Sequence, residues 1–311
     1  MRIAFIFPGQ GAQYIGMGKE LYDNFNIVKN IFDKTDEILK EDFVNLVFNG
    51  SDEDIKKTEN TQPAILMVST AISQLLMNEG IAPVMTAGLS LGEYSALVAA
   101  NSISYEDALP LVRKRGQLMS EAIPAGKGAM AAVLALDEDK LLICCEKASE
   151  YGTVTIANYN CPGQLVLSGD SSAVVKASEL AKEAGAKRVV PLPVSGPFHS
   201  PLLKPAGDAL AEELKRTDIK VPEIPVMSNV SAKPAGSGEE IRELLAKQVS
   251  NSIRWEDCIR YMISQGVDTF LELGPGKALS GFMKKIDNTV NTYNVEDLAS
   301  LENVLGLLKG V

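Results

Sequence analysis

Gly88-Leu89-Ser90-Leu91-Gly92 has the Gly-x-Ser-x-Gly spacing of a nucleophile elbow, a sharp strand-to-helix turn that exposes a serine oxygen. A serine hydroxyl is a poor nucleophile without a neighbouring base, and near neutral pH that base is usually an imidazole. His199 is the only histidine in the 311 residues, so it is the one imidazole available to activate Ser90. The competing reading of the spacing is a glycine-bounded turn whose serine merely caps a helix. Gly88 and Gly92 suit either, because they remove side chains where the chain doubles back.

Three further segments carry chemistry-bearing residues. Ser104 with Asp107 resembles a capping box, and the helix it opens places apolar Ala108, Leu111, Val112, Leu118, Met119 and Ala122 on one stripe. Arg115 falls near the middle of that stripe. A buried guanidinium must be compensated, either by an Asp or Glu of the chain or by a substrate carboxylate held bidentately; the pattern leaves both readings open. His199 precedes Ser200-Pro201, a helix-start signature, so the helix dipole is expected to keep its ring neutral. Gly9-Gln10-Gly11 follows the first strand, where folds with such an elbow supply one oxyanion-hole N–H. The second N–H comes from the residue after the nucleophile, Leu91.

The elements that must position these residues alternate. A strand is expected over 2–7, helical pattern over 14–39, a largely buried helix over 62–78, a strand over 83–87 and a helix over 91–100. This alternation predicts an α/β fold with a mainly parallel sheet covered by helices. Residues 126–192 read differently. A strand (128–136), a helix (137–151), two short strands (153–157 and 164–168) around the turn-rich 158–163, a helix (171–184) and a last strand (187–192) give the β-α-β-β-α-β order of a ferredoxin-like unit. The reading is therefore a small subdomain at 126–192 inserted into a large domain formed by 1–125 and 193–311.

Composition narrows the function classes. A net charge of −10 argues against nonspecific nucleic-acid binding, and no apolar run approaches a membrane span. The run 3–7 stops at Pro8, too short for a secretory signal core. Cys144, Cys145, Cys161 and Cys258 lack metal-ligand spacing, and one histidine excludes a His-rich metal site. A reducing cytoplasm is the expected location. Leu273-Gly274-Pro275-Gly276-Lys277 lacks the spacing of a nucleotide-binding loop, which argues against ATP binding. Asn229-Val230-Ser231 matches a glycosylation acceptor but carries little meaning in a cytoplasmic chain.

Taken together, the residues resemble the malonyl-CoA:acyl-carrier-protein transacylase family of fatty acid synthesis. The resemblance rests on Phe7-Pro8-Gly9-Gln10-Gly11-Ala12-Gln13, the elbow extended to Glu93-Tyr94, Arg115-Gly116-Gln117-Leu118-Met119, Ile156-Ala157-Asn158-Tyr159-Asn160, Pro162-Gly163-Gln164, the segment 194–200, and Glu272-Leu273-Gly274-Pro275-Gly276. These span nearly the whole chain in family order. The resemblance implies an α/β-hydrolase-like large domain with a ferredoxin-like insert. It implies Ser90 as nucleophile, His199 as base, the backbone N–H groups of Gln10 and Leu91 as the oxyanion hole, and Arg115 on the malonyl carboxylate. Met119 and Phe198 would line the substrate site, Phe198 as in malonyl-selective members, and the Gln248 main-chain carbonyl would orient the histidine in place of a triad acid. Leu89 stands where many members have histidine.

The implied reaction is two-step malonyl transfer from malonyl-CoA to acyl carrier protein, with no metal or redox cofactor and the enzyme acting as a monomer. Carrier proteins are acidic, so an acidic enzyme should offer a local basic surface. Lys187, Arg188, Lys284 and Lys285 are the expected docking residues. The alternatives are a serine thioesterase with water as acceptor, an acyltransferase serving polyketide synthesis, and an inactive carrier-binding module.

Overall fold

The computed structural model describes residues 1–310 except 125 and 195. Ala125, at the expected junction before the insert, Ser195 of the 194–200 segment, and Val311 lie outside the described residues. Among the described residues, the strands are β1 (Ile3–Phe7), β2 (Met85–Gly88), β3 (Gly128–Leu134), β4 (Val154–Cys161), β5 (Gln164–Asp170), β6 (Arg188–Pro191), β7 (Thr269–Leu273) and β8 (Asn291–Val295). They form a parallel sheet of order β2-β1-β7-β8 and an antiparallel sheet of order β4-β5-β3-β6. The fold is thus the expected α/β-hydrolase-like layer with a small ferredoxin-like sheet.

Sequence pattern explains which faces are covered. In β1, Ala4 and Ile6 join one core cluster and Phe5 and Phe7 join another, so the strand is apolar throughout. That is what a parallel strand with helices on both faces requires. The central antiparallel strands β3 and β5 are likewise covered on both faces. Ala131, Val133, Leu165 and Leu167 pack with Leu141, Cys144, Val174 and Ala177 of the helices Glu138–Ala148 and Ser171–Glu183. Their neighbours Met130, Ala132, Gln164 and Val166 face the other way, toward the parallel sheet's loops. Two helices, Thr58–Asn78 and Tyr105–Glu121, pack on one another beside the large sheet and carry residues to the site.

Several local expectations change. The 14–39 pattern divides into Lys19–Asn24 and Asn26–Leu39, because Phe25 is extended and breaks the helix. The turn expected over 158–163 contracts to Pro162-Gly163. β4 runs on to Cys161 by absorbing two register shifts, and Gly163 takes the left-handed conformation, φ 74°, of the tight turn. Ser200-Pro201 opens a single 3-10 turn, Pro201–Leu203, and the α-helix starts at Lys204. The Ser200 hydroxyl donates to the Pro197 carbonyl rather than capping. At Ser104 the hydroxyl accepts the Asp107 N–H, and it donates to the Asp107 carboxylate in place of the box's reciprocal backbone bond.

Candidate active site

The site lies beyond the carboxyl ends of β1 and β2, where open α/β sheets place ligands. β2 ends at Gly88 and the helix Gly92–Ala99 begins four residues later, so the chain reverses through Ser90 at φ 52°. A non-glycine residue there stores strain of about 1–3 kcal/mol, which the surroundings must hold. A methyl group on Gly88 would overlap the backbone of Gly92, one on Gly92 would overlap the Phe7 carbonyl, and one on Gly9 would overlap the Leu89 carbonyl. These contacts clamp the loop after β1 against the elbow. Gln10 and Leu91 consequently line the same cleft, and among the described residues neither backbone N–H has a hydrogen-bond acceptor.

Ser90 Oγ lies 2.8 Å from His199 Nε2, and His199 Nδ1 lies 2.7 Å from the Gln248 carbonyl oxygen. A carbonyl only accepts, so Nδ1 carries the proton and Nε2 is free to take one from Ser90. His199 itself is left-handed, φ 59°, which turns its ring toward the elbow from the loop before the 3-10 turn. Its neutrality has a different cause from the expected helix dipole. Burial, reinforced by the Arg115 charge, lowers its pKa to about 3, with the Gln248 carbonyl opposing.

Arg115 is 1% exposed and pairs with no acid among the described residues. Its Nη1 donates to Gln62 Oε1 at 2.9 Å, and its Nη2 donates to Gln248 Oε1 at 2.9 Å and to Ser90 Oγ at 3.1 Å. The ring of Tyr94 lies 5.5 Å below the guanidinium carbon. The structural ion pair left open by the sequence is therefore not made. Neutral amides hold the cation and leave its charge facing the cleft, while burial lowers its pKa.

Beneath these groups is a layer that sequence reasoning missed. Asn229 Oδ1 accepts the Ser90 N–H at 2.6 Å and its Nδ2 donates to the Gly88 carbonyl at 2.8 Å, so one amide spans the elbow. Glu93 Oε2 accepts from the Asn229 N–H at 2.9 Å and from Gln248 Nε2 at 2.7 Å. Burial pushes the Glu93 carboxyl up to about 7, against the stabilising effect of these two donors and of Arg115. Gln62 had no distinguishing signal inside an apolar helix. Asn229 carried only a misleading glycosylation pattern.

Met119 and Phe198 line the cleft, with Met130 and Ala132 of β3, Asn158 and Asn160 of β4, and Gln164 and Val166 of β5 on the facing sheet. Gln62 Nε2 also approaches Met119 Sδ, at 3.6 Å, which ties that side chain to the Arg115 cradle. The four basic residues lie outside the cleft, exposed and without ion pairs among the described residues. The register joins Cys161 to Gln164, Gln164 to Leu134 and Leu134 to Arg188 across the antiparallel sheet. Arg188 thus ends one row at the β6 edge. At the other end, burial raises the Cys161 thiol and the nearby Lys285 charge partly offsets it. Lys284 and Lys285 follow Phe282, a cleft residue, in the helix Ala278–Ile286.

Residues 4–309 match the acyl transferase domain family. The malonyl CoA-acyl carrier protein transacylase of Bacillus subtilis is 50% identical over 309 residues, covering 99% of this chain and 98% of that protein. The crystal structure of malonyl CoA-acyl carrier protein transacylase from Clostridium perfringens superimposes with a TM-score of 0.97 at 46% identity, covering 100% of this chain and 98% of that one. A malonyl-transacylase solved in complex with a type II PKS acyl-carrier protein gives a TM-score of 0.96 at 41% identity, covering 100% of both chains.

Proposed function

The chain belongs to the acyl transferase domain family, and from that premise we propose that it transfers a malonyl group from malonyl-CoA to the phosphopantetheine thiol of an acyl carrier protein, for fatty acid synthesis, through a malonyl ester on Ser90. One observation carries the reading: a single serine oxygen lies within hydrogen-bond reach of both the sole imidazole and a buried guanidinium that has no acid of its own. The imidazole supplies a base, and the guanidinium supplies a counter-charge for an acyl group ending in a carboxylate.

In the first half-reaction His199 Nε2 takes the Ser90 proton as Oγ attacks the thioester carbonyl. The N–H groups of Gln10 and Leu91 receive the oxyanion, each worth about 3 kcal/mol to the transition state. Collapse expels CoA, whose sulfur takes the proton from His199. In the second half-reaction the carrier thiol gives its proton to His199 and attacks the malonyl ester, and His199 returns a proton to Ser90. Arg115 holds the distal carboxylate throughout, with Met119 and Phe198 along the acyl chain. Binding that carboxylate also cancels the positive charge that depresses His199, so the correct substrate raises the basicity of its own catalyst.

The chemistry calls for no metal or redox cofactor beyond the CoA thioester substrate. We read the enzyme as a cytoplasmic monomer; no helix among the described residues is long and apolar enough to cross a membrane. Lys187, Arg188, Lys284 and Lys285 flank the antiparallel sheet and supply the basic surface for the acidic carrier. Mass measurement of the intact chain after malonyl-CoA, and again after carrier protein, tests the proposal: one malonyl group gained on Ser90, then lost to the carrier thiol.

A further inference from the structure

Among the described residues Glu93 is the one buried carboxylate next to the reacting groups, and malonyl transfer as derived above gives it no task. It sits in the first turn of the elbow helix, 4% exposed, three residues beyond the nucleophile. Its Oε2 receives both the Gln248 side-chain amide and the Asn229 backbone N–H. Gln248 Nε2 additionally donates to the Ser90 carbonyl at 3.1 Å and to Asn229 Oδ1 at 3.3 Å, while Gln248 Oε1 faces Arg115.

Glu93 Oε2 already accepts two N–H donors and so can only accept, and a guanidinium only donates. An amide placed between them has one satisfying orientation, nitrogen toward the acid and oxygen toward the cation. We propose that Glu93 is a positioning residue that fixes Gln248 in this orientation and so aims Arg115 at the malonyl carboxylate. Gln248 then acts twice. Its backbone carbonyl sets the tautomer of His199, and its side chain transmits the Glu93 constraint to the substrate clamp. Through the Asn229 backbone, the same carboxylate steadies the amide that spans the elbow. The inference rests on Arg115 being that clamp.

The test is a double-mutant cycle read as selectivity between malonyl-CoA and acetyl-CoA, using the full chain. Glu93→Ala, which removes the acceptor of both N–H groups, should lower malonyl-over-acetyl selectivity roughly ten- to hundredfold, the effect of losing a buried hydrogen bond to a charged group, mainly through KM for malonyl-CoA. In an Arg115→Ala background the same change should leave selectivity where Arg115→Ala put it. A purely structural Glu93 would depress both substrates in parallel, and an independent one would multiply its effect with that of Arg115→Ala; either result overturns the inference. If Glu93→Ala does not fold, Glu93→Asp, which keeps the charge but shortens its reach, carries the same expectations. Should Arg115→Ala alone leave selectivity intact, the clamp reading is what fails. If that variant loses selectivity while the Glu93 variant keeps it, only the role of Glu93 is refuted.

Discussion

Arg115 Nη2 donates to Ser90 Oγ across 3.1 Å, so the cation and the attacking oxygen share a hydrogen bond. This couples recognition to attack: a carboxylate that draws the guanidinium away also frees a lone pair of the nucleophile. Arg115→Ala should cost malonyl-CoA about 2–5 kcal/mol of transition-state stabilisation, a loss of about one and a half to nearly four powers of ten in kcat/KM. Acetyl-CoA should keep its weak activity or gain. The melting temperature should fall only modestly: no partner acid is stranded, although the buried Gln62 and Gln248 carbonyl oxygens lose their donor. Steady-state kinetics with both donors and a thermal melt check these outcomes on one variant.

The state of His199 sets a pH signature. A ring held near 3 stays neutral through the usual imidazole range, so acylation should show no limb at pH 6.5 between about pH 5 and 8. The linked stability terms oppose one another. Between about 6.5 and 3 the unfolded chain binds the His199 proton more readily, so this group costs stability as pH falls through that window. Between 4.5 and about 7 the folded chain holds the Glu93 proton more tightly, so that group costs stability as pH rises. Removing the carboxyl in Glu93→Gln should therefore flatten the decline in stability toward neutral pH, measured by denaturant melts at pH 5 and 7.5. A wild-type acylation profile with a single limb near 6.5 would show that the ring is not buried and neutral as described.

Asn229→Ala removes the amide that spans the elbow, where Ser90 sits at φ 52°. The Ser90 N–H and the Gly88 carbonyl lose their side-chain partner, so stability should fall by about 1–3 kcal/mol. Acylation by malonyl-CoA and acetyl-CoA should slow together, because the nucleophile rather than the clamp is disturbed. Burst kinetics with the two donors separates this outcome from that of Arg115→Ala.

Much of this site was legible because the chemistry is local in sequence. The elbow spacing, the single histidine and an arginine inside an apolar stripe each carry a pattern that follows from backbone geometry or burial. The two sheets were equally legible, since Ile3–Phe7 reads as continuously apolar and residues 126–192 carry a β-α-β-β-α-β order bounded by turn signals. What stayed hidden is contact between distant polar residues. Gln62 meets Arg115 53 positions away and Asn229 meets Ser90 139 positions away, and neither amide has a periodicity that betrays its partner. Of the two partners left open for Arg115, the acid of the chain is not beside it: two neutral amides are, with Glu93 one amide further on.

Reversing the charges of Lys187, Arg188, Lys284 and Lys285 should weaken the second half-reaction selectively. KM for carrier protein should rise several-fold and its salt sensitivity should fall, as expected when steering charges are lost. Acylation by malonyl-CoA should be spared. Equal loss in both half-reactions would place these residues at the CoA phosphates instead.

The central claim, that Ser90 carries the malonyl group between two thiols, is tested most directly by intact mass spectrometry with rapid quenching. The account predicts one malonyl adduct per chain after malonyl-CoA, mapped to the Ser90 peptide and absent in Ser90→Ala. It further predicts that holo carrier protein discharges the adduct much faster than water does. An unmodified chain, an adduct that survives in Ser90→Ala, or discharge by water as fast as by the carrier would contradict it.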